Sequence, residues 1–135
     1  MNAIVIADDD PIIIDLLAAR LGMAQYHVLP AHDAQAAVAL VMTKDPVAVI
    51  LDVQMPGGGG LSALSKIKSD PKTARLPVMM LTGERNAETV LQAMEGGADD
   101  YMVKPFNPDM VLERIARLVN KAAKTPAAAA ATWEI

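Results

Sequence analysis

The chain alternates short apolar runs with longer segments in which apolar residues recur every three or four positions. The short runs are rich in Val, Ile, Leu and Met, and they occupy residues 3–7, 27–29, 47–51, 78–81 and 101–103. Continuous apolar runs of this length, bounded by turn-forming residues, are typical of strands buried on both faces of a sheet. The pattern therefore predicts five buried strands.

Helical spacing and capping signals appear between and after these runs. Asp10-Pro11 and Asn107-Pro108 each combine an N-cap residue with proline at the first helical position, and Asp33 can cap another helix. The apolar stripes of the five predicted helices are, in chain order, Ile14, Leu17 and Leu21; Ala37, Leu40 and Val41; Leu61, Leu64 and Ile67; Val90, Leu91 and Met94; and Val111, Ile115 and Leu118. Each predicted strand is thus followed by a predicted helix.

This strict alternation, with short connections, predicts the fold class. Parallel strands need crossover connections, these are right-handed, and the crossover helices cover both faces of the sheet. We therefore predict a doubly wound α/β domain with a five-stranded parallel sheet. In such sheets, ligands bind beyond the carboxyl ends of the strands.

Composition narrows the chemistry that this domain can perform. The chain has 135 residues, no cysteine and a net charge of −4, with lysines and arginines scattered along it. We expect one domain without disulfides or thiolate zinc sites, and no direct binding to nucleic acid. No apolar run approaches the roughly 20 residues of a membrane span, and the polar start is unlike a secretory signal. These features predict a cytoplasmic protein.

A change of composition after Lys121 predicts the domain boundary. Residues 122–135 begin Ala-Ala-Lys-Thr-Pro, continue with five alanines and carry no apolar stripe beyond alanine. We predict a domain over residues 1–121 and a flexible tail or linker over 122–135. Trp133 lies in this segment and is expected to be solvated with it.

Polar residues lie directly after the predicted strands. Three aspartates at 8–10 follow the first strand, Asp52 the third, Thr82 the fourth and Lys104 the fifth. Because the carboxyl ends of parallel strands share one edge, acids from two strands are expected to converge there, as a hard cation such as Mg²⁺ requires. The alternative for residues 8–10 alone is a solvated turn that only caps the first helix.

Four motifs in this order resemble the receiver domains of two-component response regulators. They are Ile-Val-Ile-Ala-Asp-Asp-Asp-Pro at 4–11, Val-Ile-Leu-Asp-Val-Gln-Met-Pro at 49–56, Pro-Val-Met-Met-Leu-Thr-Gly at 77–83 and Gly-Ala-Asp-Asp-Tyr-Met-Val-Lys-Pro-Phe at 97–106. The resemblance covers about residues 3–121. It implies a flavodoxin-like sheet with strand order 2-1-3-4-5.

The resemblance also implies the chemistry of the strand ends. Asp52 would be the phosphoacceptor, Asp9 would bind Mg²⁺ directly, Asp8 mostly through water, and the backbone carbonyl of Gln54 would be a further ligand. These roles are chemically reasonable because a carboxylate attacks a dianionic phosphoryl group poorly unless a cation offsets the repulsion. In this family, Gln54 and Glu84 occupy positions that tune hydrolysis of the phosphorylated form.

Three further residues would connect phosphorylation to a change of shape. Lys104 would contact one phosphoryl oxygen and the Thr82 hydroxyl another, and in the family the bond from this lysine to the next proline, here Pro105, is usually cis. Tyr101 occupies the aromatic switch position, where the ring turns inward as the threonine moves. The fourth helix, fifth strand and fifth helix would then form the surface that changes.

Partner contacts follow from the resemblance and from the first helix. A sensor histidine kinase or a histidine phosphotransfer protein would donate the phosphoryl group, and a fused or separate output domain, or a homodimer through the changing surface, would receive the signal. Ile13, Leu16 and Arg20 form a second stripe on the first helix, which suits docking of the phosphodonor. The alternative is that this stripe also belongs to the core.

Other functions fit the sequence less well. A haloacid-dehalogenase-like phosphatase needs an acid two residues after its nucleophile, where this chain has Gln54. A dinucleotide-binding domain needs a glycine-rich turn after the first strand, where this chain has aspartates. A pseudo-receiver, an interaction domain that takes no phosphate, remains an alternative.

The four glycines at 57–60 depart from the family, which usually keeps only the last, and predict a looser loop.

Overall fold

The computed structural model describes residues 2–83 and 87–124. Strands and helices alternate throughout this part of the chain, because the short apolar runs pair as strands and the amphipathic segments between them coil as helices. In chain order they are β1 (Ala3–Ala7), α1 (Pro11–Met23), β2 (His27–Ala31), α2 (Ala34–Lys44), β3 (Ala48–Asp52), α3 (Gly59–Ser69), β4 (Val78–Thr82), α4 (Ala87–Glu95), β5 (Asp100–Val103) and α5 (Pro108–Lys124).

The five strands form one parallel sheet in the order β2-β1-β3-β4-β5. Every residue of β3 and β4 is buried, and so are the last four residues of β1. These three central strands are covered on both faces, which is why their sequences are continuously apolar. The doubly wound, flavodoxin-like fold with strand order 2-1-3-4-5 is confirmed.

Two apolar layers, one on each face of the sheet, form the core. On one face α1 and α5 bury Ile14, Leu17 and Ile115 against alternate strand residues such as Ile50. On the other face α2, α3 and α4 pack against the residues that point the opposite way, including Leu51. Helices therefore cover both faces, as the alternation of elements predicted.

The buried face of α4 differs from the sequence prediction. We expected Val90, Leu91 and Met94 to form its apolar stripe, but the side chain buried in the core is Ala93. Leu91 is 57% exposed and Met94 42% exposed. The small Ala93 lets the short helix approach the sheet closely, and the larger residues on its other side point outward.

The N-caps predicted for α1 and α2 are confirmed. The Asp10 carboxylate accepts a hydrogen bond from the backbone N–H of Ile12 at the start of α1, with Pro11 as the first helical residue. Asp33 accepts from Ala36 N–H at the start of α2. These side chains satisfy donors that a helix N-terminus leaves unpaired.

Two element boundaries extend beyond the predicted ones. β2 continues through Pro30 to Ala31, which is tolerated because β2 is an edge strand. α5 continues to Lys124, three residues into the segment predicted as tail.

Glu84 and the rest of the segment predicted as tail, residues 125–135, lie outside the described residues. Among the helices described, none is both long enough and apolar enough to cross a membrane.

Candidate functional site

Three carboxylates converge at the carboxyl edge of the sheet. β1 and β3 are neighbours with Ala7 paired to Leu51, so the residues that follow, Asp8 and Asp52, lie side by side. Both are buried, while Asp9 is exposed. One carboxylate oxygen from each of the three aspartates lies within 4.8 Å of the other two. The set is oxygen-only, compact and open to solvent on one side, which fits a hard divalent cation such as Mg²⁺.

Lys104 reaches this cluster from the end of β5, the edge strand that lies beyond β4. It follows β5, and its peptide bond to Pro105 is cis. Its backbone N–H donates to the Thr82 carbonyl over 2.7 Å. Its ammonium lies 2.7 Å from Asp8 Oδ2 and 3.3 Å from Asp52 Oδ2. One cation therefore bridges the two buried acids.

The electrostatics of the cluster show an excess of negative charge. Burial and, to a smaller extent, the charge of Asp8 raise the pKa of Asp52, Lys104 and the Gln54 N–H lower it in part, and the net result is a pKa raised from 3.8 to about 6. Burial lowers the pKa of Lys104, but its bonds to Asp8 and Asp52 and their charges raise it overall above its ordinary value. A second cation at the cluster would therefore favour the ionised form of Asp52.

Thr82 and Tyr101 point to the same face of the sheet from the neighbouring strands β4 and β5. Thr82 is the last residue of β4, is buried, and pairs with Val103 on β5. Tyr101 lies two residues before Val103, so its side chain points to the same face. It is half-buried against the core layer that contains Leu51. Thr82 on β4, the strand next to β3, and the Tyr101 ring on β5 are thus placed as diagonal neighbours.

The loop after Asp52 shows why this chain needs its glycines. A side chain at Gly60 would place its Cβ 2.1 Å from the carbonyl oxygen of Asp52, so only glycine fits there. Gly57, Gly58 and Gly59 all have positive φ angles, between 76° and 96°. Sequence reasoning predicted only that these three would loosen the loop and missed their backbone requirement.

The three docking residues predicted on α1 occupy different environments. Ile13 is half-buried and packs against the core layer beneath α1. Leu16 is 45% exposed, and Ile12, which we did not select, is 72% exposed. Arg20 pairs through its Nε with Asp109 Oδ1 at the start of α5. The exposed apolar part of α1 therefore centres on Ile12 and Leu16, and Arg20 ties α1 to α5.

Known proteins are similar to this chain in both sequence and fold. Residues 4–116 match the response regulator receiver domain family. The DNA-binding dual master transcriptional regulator RpaA of Synechocystis sp. is 36% identical over 129 residues, covering 96% of this chain and 54% of RpaA. The phosphate regulon transcriptional regulatory protein PhoB of Pseudomonas aeruginosa is 34% identical over 120 residues, covering 89% and 52%. This chain thus spans about half the length of these curated relatives.

Solved structures give the same result. A CheY-like response regulator receiver domain protein from Methanospirillum hungatei superposes with a TM-score of 0.87 at 27% identity, covering 93% of this chain and 99% of that protein. The chemotaxis protein CheY4 of Vibrio cholerae superposes with a TM-score of 0.81 at 29% identity, covering 87% and 98%. The chain therefore belongs to the response regulator receiver domain family of two-component signalling proteins.

Proposed function

We propose that Asp52 accepts a phosphoryl group, in a Mg²⁺-dependent reaction, from a phosphohistidine on a sensor histidine kinase or a histidine phosphotransfer protein. The observation that carries this proposal is the position of Asp52. Its carboxylate lies at the carboxyl end of a central strand, within 4.8 Å of two other carboxylates and 3.3 Å from the Lys104 ammonium. Strand-end acids with a nearby cation can stabilise an in-line phosphoryl transfer.

In the proposed transfer, a carboxylate oxygen of Asp52 forms the new P–O bond. The P–N bond to the histidine breaks, and its electron pair stays on the imidazole nitrogen. Lys104 is already within 3.3 Å of Asp52 and would donate to a phosphoryl oxygen. Asp8, Asp9, Asp52 and the Gln54 carbonyl would hold Mg²⁺. When bound, Mg²⁺ would offset the repulsion between the carboxylates and the phosphoryl group.

The phosphoryl group would act on the rest of the domain through Thr82 and Tyr101. The Thr82 hydroxyl would bond a phosphoryl oxygen, and the Tyr101 ring on the same face would fill the space that this movement leaves. Packed cores favour discrete arrangements, so a small shift would change the surface formed by α4, β5 and α5. Leu91 and Met94 already expose apolar area on that surface.

The signal would pass from this surface to an output partner, fused or separate, or to a second copy in a homodimer. RpaA is named as DNA-binding, and this chain spans about half of it. We propose that this segment does not itself contact nucleic acid, because its net charge is −4. We propose that it works in the cytoplasm as a switch that catalyses only its own phosphorylation and dephosphorylation.

Docking of the phosphodonor is proposed on α1, beside the acids. Leu16 would supply exposed apolar area, Ile13 would support it from below, and Arg20 would fix the angle between α1 and α5 through Asp109. A helix of the donor that packs there would place its phosphohistidine next to Asp52.

Intact-mass measurement with acetyl phosphate tests the proposal. With Mg²⁺ the chain should gain one phosphoryl group, and with EDTA or in Asp52→Asn it should gain none. Equal labelling of Asp52→Asn would refute Asp52 as the acceptor. No labelling of the parent chain with Mg²⁺ would identify a pseudo-receiver instead.

A further inference from the structure

A cavity of about 340 Å³ lies at the amino edge of the sheet. Pro77 lines it directly before β4 begins, and Asp99 lines it directly before β5 begins. The remaining walls come from the end of α3, the connection that follows α3 and the last turns of α5. Asp52 ends β3 at the opposite, carboxyl edge, so this cavity is separate from the phosphorylation site. Its volume is in the range of ligand sites in proteins.

The ionisable side chains of the cavity carry an excess of positive charge. Of the described residues that line it, Lys68, Arg75 and Lys121 are cations and Asp99 is an acid. The excess is therefore two positive charges, in a chain whose net charge is −4. Because low-dielectric walls focus the field of such a cleft, it attracts a small anion.

Two of these side chains hold the wall of the cavity together. Lys68 Nζ donates to the carbonyls of Ala74 and Leu76, over 3.2 and 2.7 Å. It also donates to Asp99 Oδ2 over 3.2 Å, and the same oxygen accepts from the Val78 N–H over 2.8 Å. An ammonium has three N–H donors, so Lys68 gives the cavity its charge but no spare donor. Asp99 Oδ1 receives no hydrogen bond from the described part of the chain and can accept one from a ligand.

Arg75 is the side chain that can bind an anion directly. It is exposed, lines the cavity, and its side chain makes no ion pair or hydrogen bond with any described residue. A guanidinium presents parallel N–H donors that match two oxygens of a phosphate group. Lys121, on the last turns of α5, adds a second cation to the lining. A phosphate monoester carries about two negative charges at neutral pH, which equals the positive excess of the cavity.

The rest of the lining favours an organic phosphate over a free phosphate ion. Pro77 is buried and Leu118 half-buried, and both contribute apolar surface to the cavity. A free phosphate ion would leave this surface uncovered and would face the Asp99 carboxylate without a compensating donor. An organic group that carries an O–H or N–H would cover the apolar side chains and donate to Asp99 Oδ1.

We propose that this cavity binds a small organic phosphate monoester. Its phosphate lies against Arg75 and Lys121. Its O–H or N–H donor faces Asp99 Oδ1, and its apolar part packs against Pro77 and Leu118. The binding does not involve the acid cluster at the carboxyl edge, so the test of this site can fail without affecting the proposed phosphorylation.

Nuclear magnetic resonance titration of the full, unphosphorylated chain tests the site. The probes are adenosine 5′-monophosphate and ribose 5-phosphate, added in EDTA, where the metal-free carboxylates around Asp52 repel anions. At least one probe should give saturable amide shift changes centred on Ala74, Arg75, Asp99 and Ala122, which line the cavity. Changes centred on Asp52, or no saturable change with either probe, would overturn the proposal.

Smaller probes separate the contributions of the phosphate and the organic part. The organic phosphate that binds should do so at least about tenfold more tightly than inorganic phosphate, because a hydrogen bond to a charged group and the apolar contact are both added. Adenosine and ribose, which lack the phosphate, should give no saturable change at the same concentrations. Equal affinity for inorganic phosphate would indicate an adventitious ion only and would overturn the proposal. Equal affinity for the unphosphorylated compound would overturn it as well.

Charge reversal locates the phosphate. Arg75→Glu should weaken binding of the organic phosphate at least about tenfold, because it removes charge-assisted hydrogen bonds. Lys72→Glu is the matched control, since Lys72 is exposed in the same connection, does not line the cavity and undergoes the same change of charge. Its effect should stay below about threefold because salt screens exposed charges. Equal losses in the two variants would mean a non-specific charge effect and would refute the site.

Discussion

Replacing Asp52 with Asn should stabilise the metal-free protein at alkaline pH, although it removes the proposed phosphoacceptor. The Asp52 residue is 3% exposed, and burial together with Asp8 raises the pKa of its carboxyl group from 3.8 to about 6. Asn keeps a side-chain oxygen that can accept the Gln54 N–H, which bonds Asp52 Oδ1 over 3.2 Å. The substitution thus removes the charge with little change of shape.

The pH dependence follows from the direction of this pKa shift. A carboxyl group with a raised pKa in the folded state binds its proton more tightly there than in the unfolded chain. The free energy of unfolding therefore falls as pH rises from about 4 through about 6, and it stays low above that window. The full pKa difference corresponds to about 3 kcal/mol. Because water reaches this edge of the sheet, we expect Asp52→Asn to gain about 2 kcal/mol at pH 8.

Urea unfolding in EDTA, at pH 4 and at pH 8, measures this gain. Asp52→Asn should match the parent at pH 4 and exceed it at pH 8, by roughly 6 to 8 °C in a parallel Tm measurement. Asp15→Asn is the control, because Asp15 is an exposed acid on α1 and should change stability little. Equal stability of parent and variant at pH 8, or an equal gain at both pH values, would refute the reasoning.

Two further predictions concern the switch and the docking surface. Thr82→Ala should still accept phosphate from acetyl phosphate, but the phosphate-induced chemical-shift changes at Tyr101 and in residues 87–95 should largely disappear; their persistence at full size would mean that the coupling takes another route. Leu16→Ser should slow transfer from the cognate kinase about tenfold and leave acetyl phosphate labelling unchanged, as expected for an exposed contact residue. Equal slowing of both reactions would instead indicate a structural role.

The sequence predicted the fold well because the signals that determine it are local. Each central strand is a continuous apolar run, and Asp10 and Asp33 sit where α1 and α2 need caps. The acids at the carboxyl edge also followed from parallel strands, since strand ends share one edge. Chain order and periodicity carry this information without knowledge of any distant contact.

Features that depend on distant residues were not predictable in this way. Arg20 pairs with Asp109, which lies 89 positions away, so no local pattern distinguishes it from a solvent-exposed docking residue. The face of α4 was predicted wrongly because Ala93 and Leu91 are both apolar, and only packing selects the smaller one. The cavity at the amino edge of the sheet, lined by Lys68, Arg75, Asp99 and Leu118 among others, combines four separate segments and has no sequence signature of its own.

Asp99 gives β4 and β5 a fixed end. Its backbone N–H donates to the Val78 carbonyl over 2.8 Å, its carboxylate accepts from the Val78 N–H, and Lys68 holds the same oxygen. Thr82 and Lys104 lie at the other end of these two strands, joined there by one backbone bond of 2.7 Å. A displacement at Thr82 would therefore make the strand pair pivot about its clamped amino end, so that the movement increases along the strands instead of shifting them as a block.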